Sequence, residues 1–233
     1  MISLIWPYWD RQAVAERSLA LMATHYAGLD LEVVVVDDGS AEAFKVPAGL
    51  PFQVRVIPLP RKSVAKNPCV PINVGVRHSL GDVLVLSGPD VLHTQPVLRQ
   101  MLDALRGPFG CVMAACRMGE RWLCHSSLVR RDDSDVGSWL PRGSGYHFLS
   151  MLKPGLWYAA GGFDEDYRDG AGYDDPDFVR RLGRAGAEFV LRDDLVVEHV
   201  RDGAHAAWPP GGFARNRALF LSKWQPIAVA ESA

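Results

Sequence analysis

Four consecutive valines, Val33-Val34-Val35-Val36, entered from Glu32 and left through Asp37-Asp38-Gly39-Ser40, constrain this chain more than any other feature. β-Branched side chains are stiff at χ1 and favour pleated backbone. A strand with no polar alternation has both faces covered, as strands of a parallel sheet lying between helices do. Open α/β sheets bind ligands at the carboxyl ends of such strands, which makes the turn at 37–40 the first candidate site.

The flanking sequence keeps the same rhythm. Residues 2–6 read as a short apolar strand stopped by Pro7. Asp10 is placed to cap a helix whose apolar positions Val14, Leu19, Met22 and Tyr26 follow helical spacing, and Gly28 ends it. Residues 52–57 form a third strand between Pro51 and Pro58. A basic, proline-interrupted loop at 61–71 leads to a helix at 73–80. A fourth strand at 83–86 runs into Ser87-Gly88-Pro89-Asp90, and a helix follows at 96–105. This βαβ alternation points to a parallel sheet. Beyond residue 105 the pattern loosens. Strands are expected at 111–116, 188–191 and 195–199, a short strand or turn at 156–160, and helices at 177–185 and 214–223. Residues 119–141 mix charge, Ser and Trp without a period. With no internal repeat and no low-complexity linker, the 233 residues read as one domain.

Composition enters by exclusion. A chain that is 48% hydrophobic and 22% charged has the apolar surface to build a core. Its net charge of −2 provides no global basic field to recruit nucleic acid or anionic membrane. The apolar runs are far too short for a bilayer, and residues 1–9 carry no basic group ahead of their apolar stretch. Four cysteines do not make a disulfide framework. The expectation is a cytoplasmic protein.

Acidic clusters stand at predicted strand ends and at one helix start: Asp37-Asp38, Asp90 and Asp174-Asp175-Pro176-Asp177. His199 ends a late strand. Carboxylates converging with a histidine suit a hard divalent cation whose shell phosphates complete. Each residue alone has a plainer reading: Asp38 as a turn former, Asp175 as an N-cap before Pro176 at the first helical position, His199 as a structural histidine. Cys111, Cys116 and Cys124 with His125 match no common zinc spacing. Arg61, Lys62 and Lys66, with Arg130 and Arg131, offer a local basic patch for a diphosphate or an anionic acceptor. Of Trp122, Trp139, Trp157 and Trp208, Trp157 is the one placed to line an acceptor site, just ahead of Gly161-Gly162.

Five segments in order carry a resemblance: Leu4-Ile5-Trp6-Pro7-Tyr8-Trp9-Asp10-Arg11; Val34-Val35-Val36-Asp37-Asp38-Gly39-Ser40; Asn73-Val74-Gly75 with Gly81-Asp82-Val83-Leu84-Val85-Leu86; Gly161-Gly162-Phe163-Asp164-Glu165; and Gly170-Ala171-Gly172-Tyr173-Asp174-Asp175-Pro176-Asp177. Over residues 3–90 and 157–205 the chain resembles the family 2 type of GT-A glycosyltransferase. Its last stretch, with His199-Val200-Arg201-Asp202, is most similar to the galactosyltransferase and N-acetylgalactosaminyltransferase branch. The resemblance implies an α/β, Rossmann-like GT-A domain over 1–233, with a mixed, mostly parallel central sheet flanked by helices. Residues 1–105 would be the nucleotide-binding half, and 106–233 the acceptor-binding half with the C-terminal helix.

The same resemblance implies roles. Pro7, Tyr8, Asp38, Asn73 and Asp90 would contact a nucleotide-sugar donor, Asp38 accepting an N–H of uracil. Asp90 and His199 would hold Mn²⁺ or Mg²⁺. Asp175 would be the general base, and Asp174, Trp157 and Gly162 would hold the acceptor. One departure stands out: the family's Asp-x-Asp pair falls on Gly88-Pro89-Asp90, which lacks the first carboxylate. The implied reaction moves a sugar from a UDP-sugar to an acceptor hydroxyl, with metal assistance and inversion. The acceptor would be a carbohydrate, with a modified DNA base as the other class considered. Two alternatives remain at this stage. Gly88 also fits a relative that binds nucleotide sugars without turnover. A sugar-phosphate nucleotidyltransferase would need a Gly-rich loop after the first strand, where Pro7-Tyr8-Trp9-Asp10 stands.

Overall fold

Burial of aliphatic strands between helices organises the chain, whose computed structural model describes residues 1–60, 67–128, 147–200 and 209–224. Strands β1 (Ile2–Tyr8), β2 (Leu31–Asp37), β3 (Gln53–Pro58) and β4 (Val83–Ser87) run parallel in the order β3-β2-β1-β4. The sheet continues through β8 (Leu149–Leu152), β6 (Gly110–Met118), β9 (Glu188–His199) and β5 (Val91–Leu92), with β7 (Arg121–Cys124) paired to β6. Here β8 is antiparallel to both neighbours, β6 and β9 are parallel, and β5 is antiparallel to β9. The sheet is therefore mixed, with its parallel character concentrated in the first half.

The valine run shows why both faces are covered. Val33 and Val35 join the core under α1 (Gln12–Tyr26) and α3 (Val97–Ala104), together with Leu19, Met22, Leu98 and Met101. Val34 and Val36 point the other way, into the cluster under α2 (Cys69–His78), α4 (Pro154–Ala160) and α5 (Asp174–Arg184). Alternate side chains of one strand thus feed two cores, as the period of two requires. Glu32, at the head of the run, is fully buried. Its carboxylate accepts from Arg55 Nε at 2.8 Å, from the Leu80 N–H at 2.7 Å and from the Ser3 hydroxyl, which satisfies a charge that would otherwise be costly inside. The last helix, α6 (Gly212–Trp224), is stitched to the loop before α5 by Asn216, whose amide donates to the Tyr167 and Gly172 carbonyls. Among the described residues no helix is long and apolar enough to cross a membrane.

Several boundaries differ from the sequence-based expectation, each for a local reason. β1 runs through Pro7 to Tyr8. The Tyr8 carbonyl faces β2, where it accepts the Asp38 N–H, so Pro7 turns its missing donor toward the side where pairing with β4 has ended at Ile5↔Leu86. Asp10 does not cap α1: its φ is 47° and its carboxylate accepts the Ala41 N–H at 2.8 Å, which binds the helix approach to the β2 turn. Residues 156–160 lie in the helix α4, started by Pro154 and ended by Gly161 at φ 81°. The two late strands are one: Ala114 pairs with Arg192 and Ala115 with Val196, so residues 193–195 bulge within β9. Asp175 is not an N-cap, because α5 begins at Asp174 after Tyr173, which is itself left-handed at φ 69°.

Two buried histidines make the fold acid-sensitive. His93 meets the Tyr26 hydroxyl at 2.7 Å and His147 the Ser150 hydroxyl at 2.8 Å, and burial pushes each down to about 3. The unfolded chain protonates both near pH 6.5 while the folded one keeps them neutral. Stability is therefore full above that pH and falls as the pH drops toward the folded-state values. Between pH 8 and pH 5 the pair costs about 4 kcal/mol. Urea unfolding at pH 7.5 and pH 5 measures this, and equal midpoints would show that the two rings are not held neutral.

Candidate active site

The candidate site gathers at the carboxyl ends of β1, β2 and β4. β1 and β2 place Tyr8 opposite Asp37. Asp37 does the turn-forming work: its two carboxylate oxygens accept the Ser40 and Phe44 N–H groups, each at 3.0 Å. Asp38 is buried beside Tyr8, its N–H bonded to the Tyr8 carbonyl at 2.8 Å. Tyr8 leans on Phe44 with ring centroids 4.8 Å apart. A cavity of about 210 Å³ opens there, lined by Tyr8, Asp10, Gln12, Glu42, Ala43 and Lys45. Pro7 sits half-buried at the same strand end.

Asp90 and His199 meet although 109 positions separate them in sequence. The two-residue strand β5 pairs Val91 with His199, and the Val200 N–H donates to the Asp90 carbonyl at 2.9 Å. Their side chains, each 14% exposed, bring His199 Nε2 to 3.3 Å from Asp90 Oδ2. The same oxygen receives the Arg11 guanidinium. Burial opposes ionisation of Asp90, but the hydrogen bond from His199 and the charges of His199 and Arg11 outweigh it and hold the carboxyl at about 2. One carboxylate oxygen and one imidazole nitrogen suit Mn²⁺ or Mg²⁺. Neighbouring ligands of an octahedral ion with bonds of ~2.1 Å lie about 3.0 Å apart, close to the separation seen here. The residues fit such an ion as a two-ligand set. Among the described residues no group of three or more His, Cys, Asp or Glu side chains is arranged to hold one, so the remaining positions would fall to phosphate and water.

The three acids of α5 separate by environment. Asp174 is buried and accepts from Asn67 Nδ2 at 2.7 Å; burial pushes its carboxyl above the usual range, against that hydrogen bond. Asp177 is buried too, held by Arg181 Nε and Trp224 Nε1 at 2.8 Å each and by the Tyr167 hydroxyl at 3.3 Å. Asp175 alone of the three is half-buried, at the second position of the helix. It lies near the cross-strand pair Cys116 and Cys124. The Cys124 thiol is pushed up to about 12, first by burial and then by the charges of Asp193 and Asp175. The Cys116 thiol is pushed up by burial first, then by Cys124 and, less, by Asp90 and Glu198.

Three expected site residues do different work. Asn73, expected at the donor, spends its amide on the 161–165 turn: Nδ2 donates to the Phe163 carbonyl at 2.8 Å and to Glu165 at 3.0 Å, and Oδ1 accepts the Phe163 N–H at 2.9 Å. Trp157, expected to face an acceptor, is 4% exposed and packs 4.9 Å from Phe178 in the core. Gly162 is glycine because its φ is 66° and an added Cβ would sit 3.0 Å from Asn73 Oδ1 and 3.1 Å from the Trp157 ring. A tryptophan ahead of a Gly-Gly turn looks the same in sequence whether it faces ligand or core. Arg11, Asn67 and Asn216 received no role from sequence, since nothing local marks a side chain that reaches across the fold. Arg61, Lys62, Lys66, Arg130, Arg131, Trp139, Arg201, Asp202 and Trp208 lie outside the described residues.

Comparison with known proteins bears on the fold. The model of the family described as Glycosyl transferase family 2 matches residues 3–147. No curated protein matches this sequence. Among solved structures, the mannosyltransferase PcManGT from Pyrobaculum calidifontis, in complex with GDP-Man and Mn²⁺, is similar with a TM-score of 0.61 and 18% identity, over 94% of this chain and 61% of its own. S. aureus TarS 1-349 in complex with UDP-GlcNAc gives a TM-score of 0.68 at 15% identity, over 95% of this chain and 66% of its own. GalNAc-T7 with UDP, GalNAc and Mn²⁺ gives 0.68 at 13% identity, over 96% of this chain and 48% of its own. The chain thus spans between about half and two thirds of the length of these proteins, and at such identities the likeness is one of fold, GT-A.

Proposed function

The chain belongs to glycosyl transferase family 2, and from that membership we propose that it transfers a sugar from a UDP-sugar to an acceptor hydroxyl, assisted by a divalent ion at Asp90 and His199. The observation that carries this reading is the convergence of Asp90 Oδ2 and His199 Nε2 at 3.3 Å, at the sheet end that also holds Tyr8 and Asp38. Nucleotide sugars and Mn²⁺ bound to similar folds support it.

Asp38 accepts a uracil N–H, with Tyr8 and Pro7 forming the wall of the base site beside the cavity. A divalent ion, when bound, supplies the positive charge that offsets the negative charge developing on the leaving diphosphate. Asp90, just after β4, and His199, at the end of β9, would hold that ion. Asp175 accepts the proton of the acceptor hydroxyl, because it is the half-buried acid of the three while Asp174 and Asp177 are buried. Attack on the face opposite the leaving group inverts the anomeric centre. Residues 1–105 form the donor half and 106–233 the acceptor half of one domain. The acceptor is a carbohydrate. Four buried free thiols suit a reducing compartment, and the protein works in the cytoplasm.

Asp38 tests the donor assignment. Asp38→Ala weakens UDP binding by roughly 10–100-fold, the loss of one charge-assisted hydrogen bond, and shows in KM more than in kcat. Calorimetric titration of UDP into wild type and variant reads this directly. Equal affinities would remove Asp38 from the base site.

A further inference from the structure

Arg11 is locked in direction by the turn that forms the base site. The Asp10 N–H donates to Ser40 Oγ at 3.0 Å, and Asp10 Oδ1 accepts the Ala41 N–H at 2.8 Å, so the backbone enters Arg11 from a φ of 47°. The Arg11 carbonyl then accepts the Ala15 N–H at 3.0 Å as α1 begins. Its side chain, 11% exposed, reaches across to Asp90 Oδ2, the same oxygen that faces His199. The other oxygen, Asp90 Oδ1, lies 2.7 Å from where a Cβ at position 88 would stand, so the glycine leaves that oxygen uncrowded.

We propose that Arg11 is a donor-binding residue: its guanidinium holds the Asp90 carboxylate until a nucleoside diphosphate arrives, then yields Asp90 to the divalent ion and pairs with the diphosphate instead. The inference rests on the metal reading above. A divalent ion and a guanidinium compete for one oxygen, so the donor-free site binds metal weakly. A diphosphate gives the planar guanidinium a partner of matching geometry. Metal and nucleotide then strengthen one another's binding by the same factor, as linkage demands.

Mn²⁺ titrations followed by electron paramagnetic resonance of the free ion test this in wild type, Arg11→Gln and Arg11→Lys, with and without UDP. Circular dichroism melts establish that each variant is folded. Without UDP, Arg11→Gln binds Mn²⁺ about tenfold more tightly than wild type, and UDP improves its Mn²⁺ affinity about tenfold less than it improves that of wild type. Arg11→Lys, which keeps the charge without the fork, falls between the two and serves if the Gln variant does not fold. Mn²⁺ affinity that is equal or weaker in the folded variants, with Mn²⁺ bound in wild type and lost in Asp90→Asn, overturns the role of Arg11 and leaves the metal reading standing. Absence of Mn²⁺ binding in wild type and both variants, even with UDP, overturns both.

Discussion

Asp175→Asn lowers the transfer rate by about 10²–10⁴-fold while leaving the melting temperature within about 2 °C of wild type. The first figure is the usual contribution of a general base, and Asn keeps the shape of the side chain while removing its proton acceptor. The second follows from where the residue stands. Asp175 is the second residue of α5, not its cap, and its two acidic neighbours hold the buried contacts to Asn67, Arg181, Tyr167 and Trp224. Losing one carboxylate in the first turn of a helix costs only a few tenths of a kcal/mol up to about 1 kcal/mol. Donor affinity is unchanged, because Asp38 and Asp90 are intact. The measurements are transfer rate, UDP affinity and thermal unfolding on one variant. Wild-type transfer in a folded Asp175→Asn protein would take the base role from this residue.

Asp90→Asn has an effect of similar size by a different route. It removes the carboxylate on which His199 Nε2 and the Arg11 guanidinium converge, and with it the anionic ligand of the proposed ion. Charge stabilisation by a divalent ion is worth several kcal/mol, so turnover falls at least ~100-fold and ceases to respond to added Mn²⁺. UDP without metal binds the variant at least as tightly as wild type, because Arg11 no longer has to leave a carboxylate to meet the diphosphate. The carboxamide still accepts from Arg11, which keeps the fold. A variant that retained wild-type turnover and wild-type metal response would move the ion elsewhere.

How much of this was legible in the sequence differs from one element to the next. The valine run announced a strand covered on both faces, and its alternate residues do feed two separate cores. The turn after it was legible as a turn, though sequence could not say that the Asp37 carboxylate is the one that accepts the Ser40 and Phe44 N–H groups. Five apolar residues at 156–160 carry too short a period to separate strand from helix, and only the flanking Pro154 and Gly161 decide it. The polar residues at 192–194 read as a break between two strands, whereas they sit in and beside a bulge within one. Pro176 suggested a helix start at Asp175, but the left-handed Tyr173 moved the start forward and changed what each acid of α5 faces. Asp90 and His199 were each readable as strand-end groups. Their meeting depends on a two-residue strand, β5, that no periodicity reveals. Arg11 was in view as part of the first motif, yet its reach to Asp90 follows from tertiary geometry alone.

The central claim, turnover of a nucleotide sugar at this sheet end, is tested most directly by nucleotide release. The purified chain is incubated with UDP-, GDP- and CDP-sugars, with and without Mn²⁺, and free nucleotide is measured against a protein-free control. The account predicts UDP release from at least one UDP-sugar, stimulated by Mn²⁺ and lost in Asp90→Asn. Binding of nucleotide sugars with no release above the control, for every donor and at every Mn²⁺ concentration, would contradict it and leave a nucleotide-sugar-binding protein without turnover.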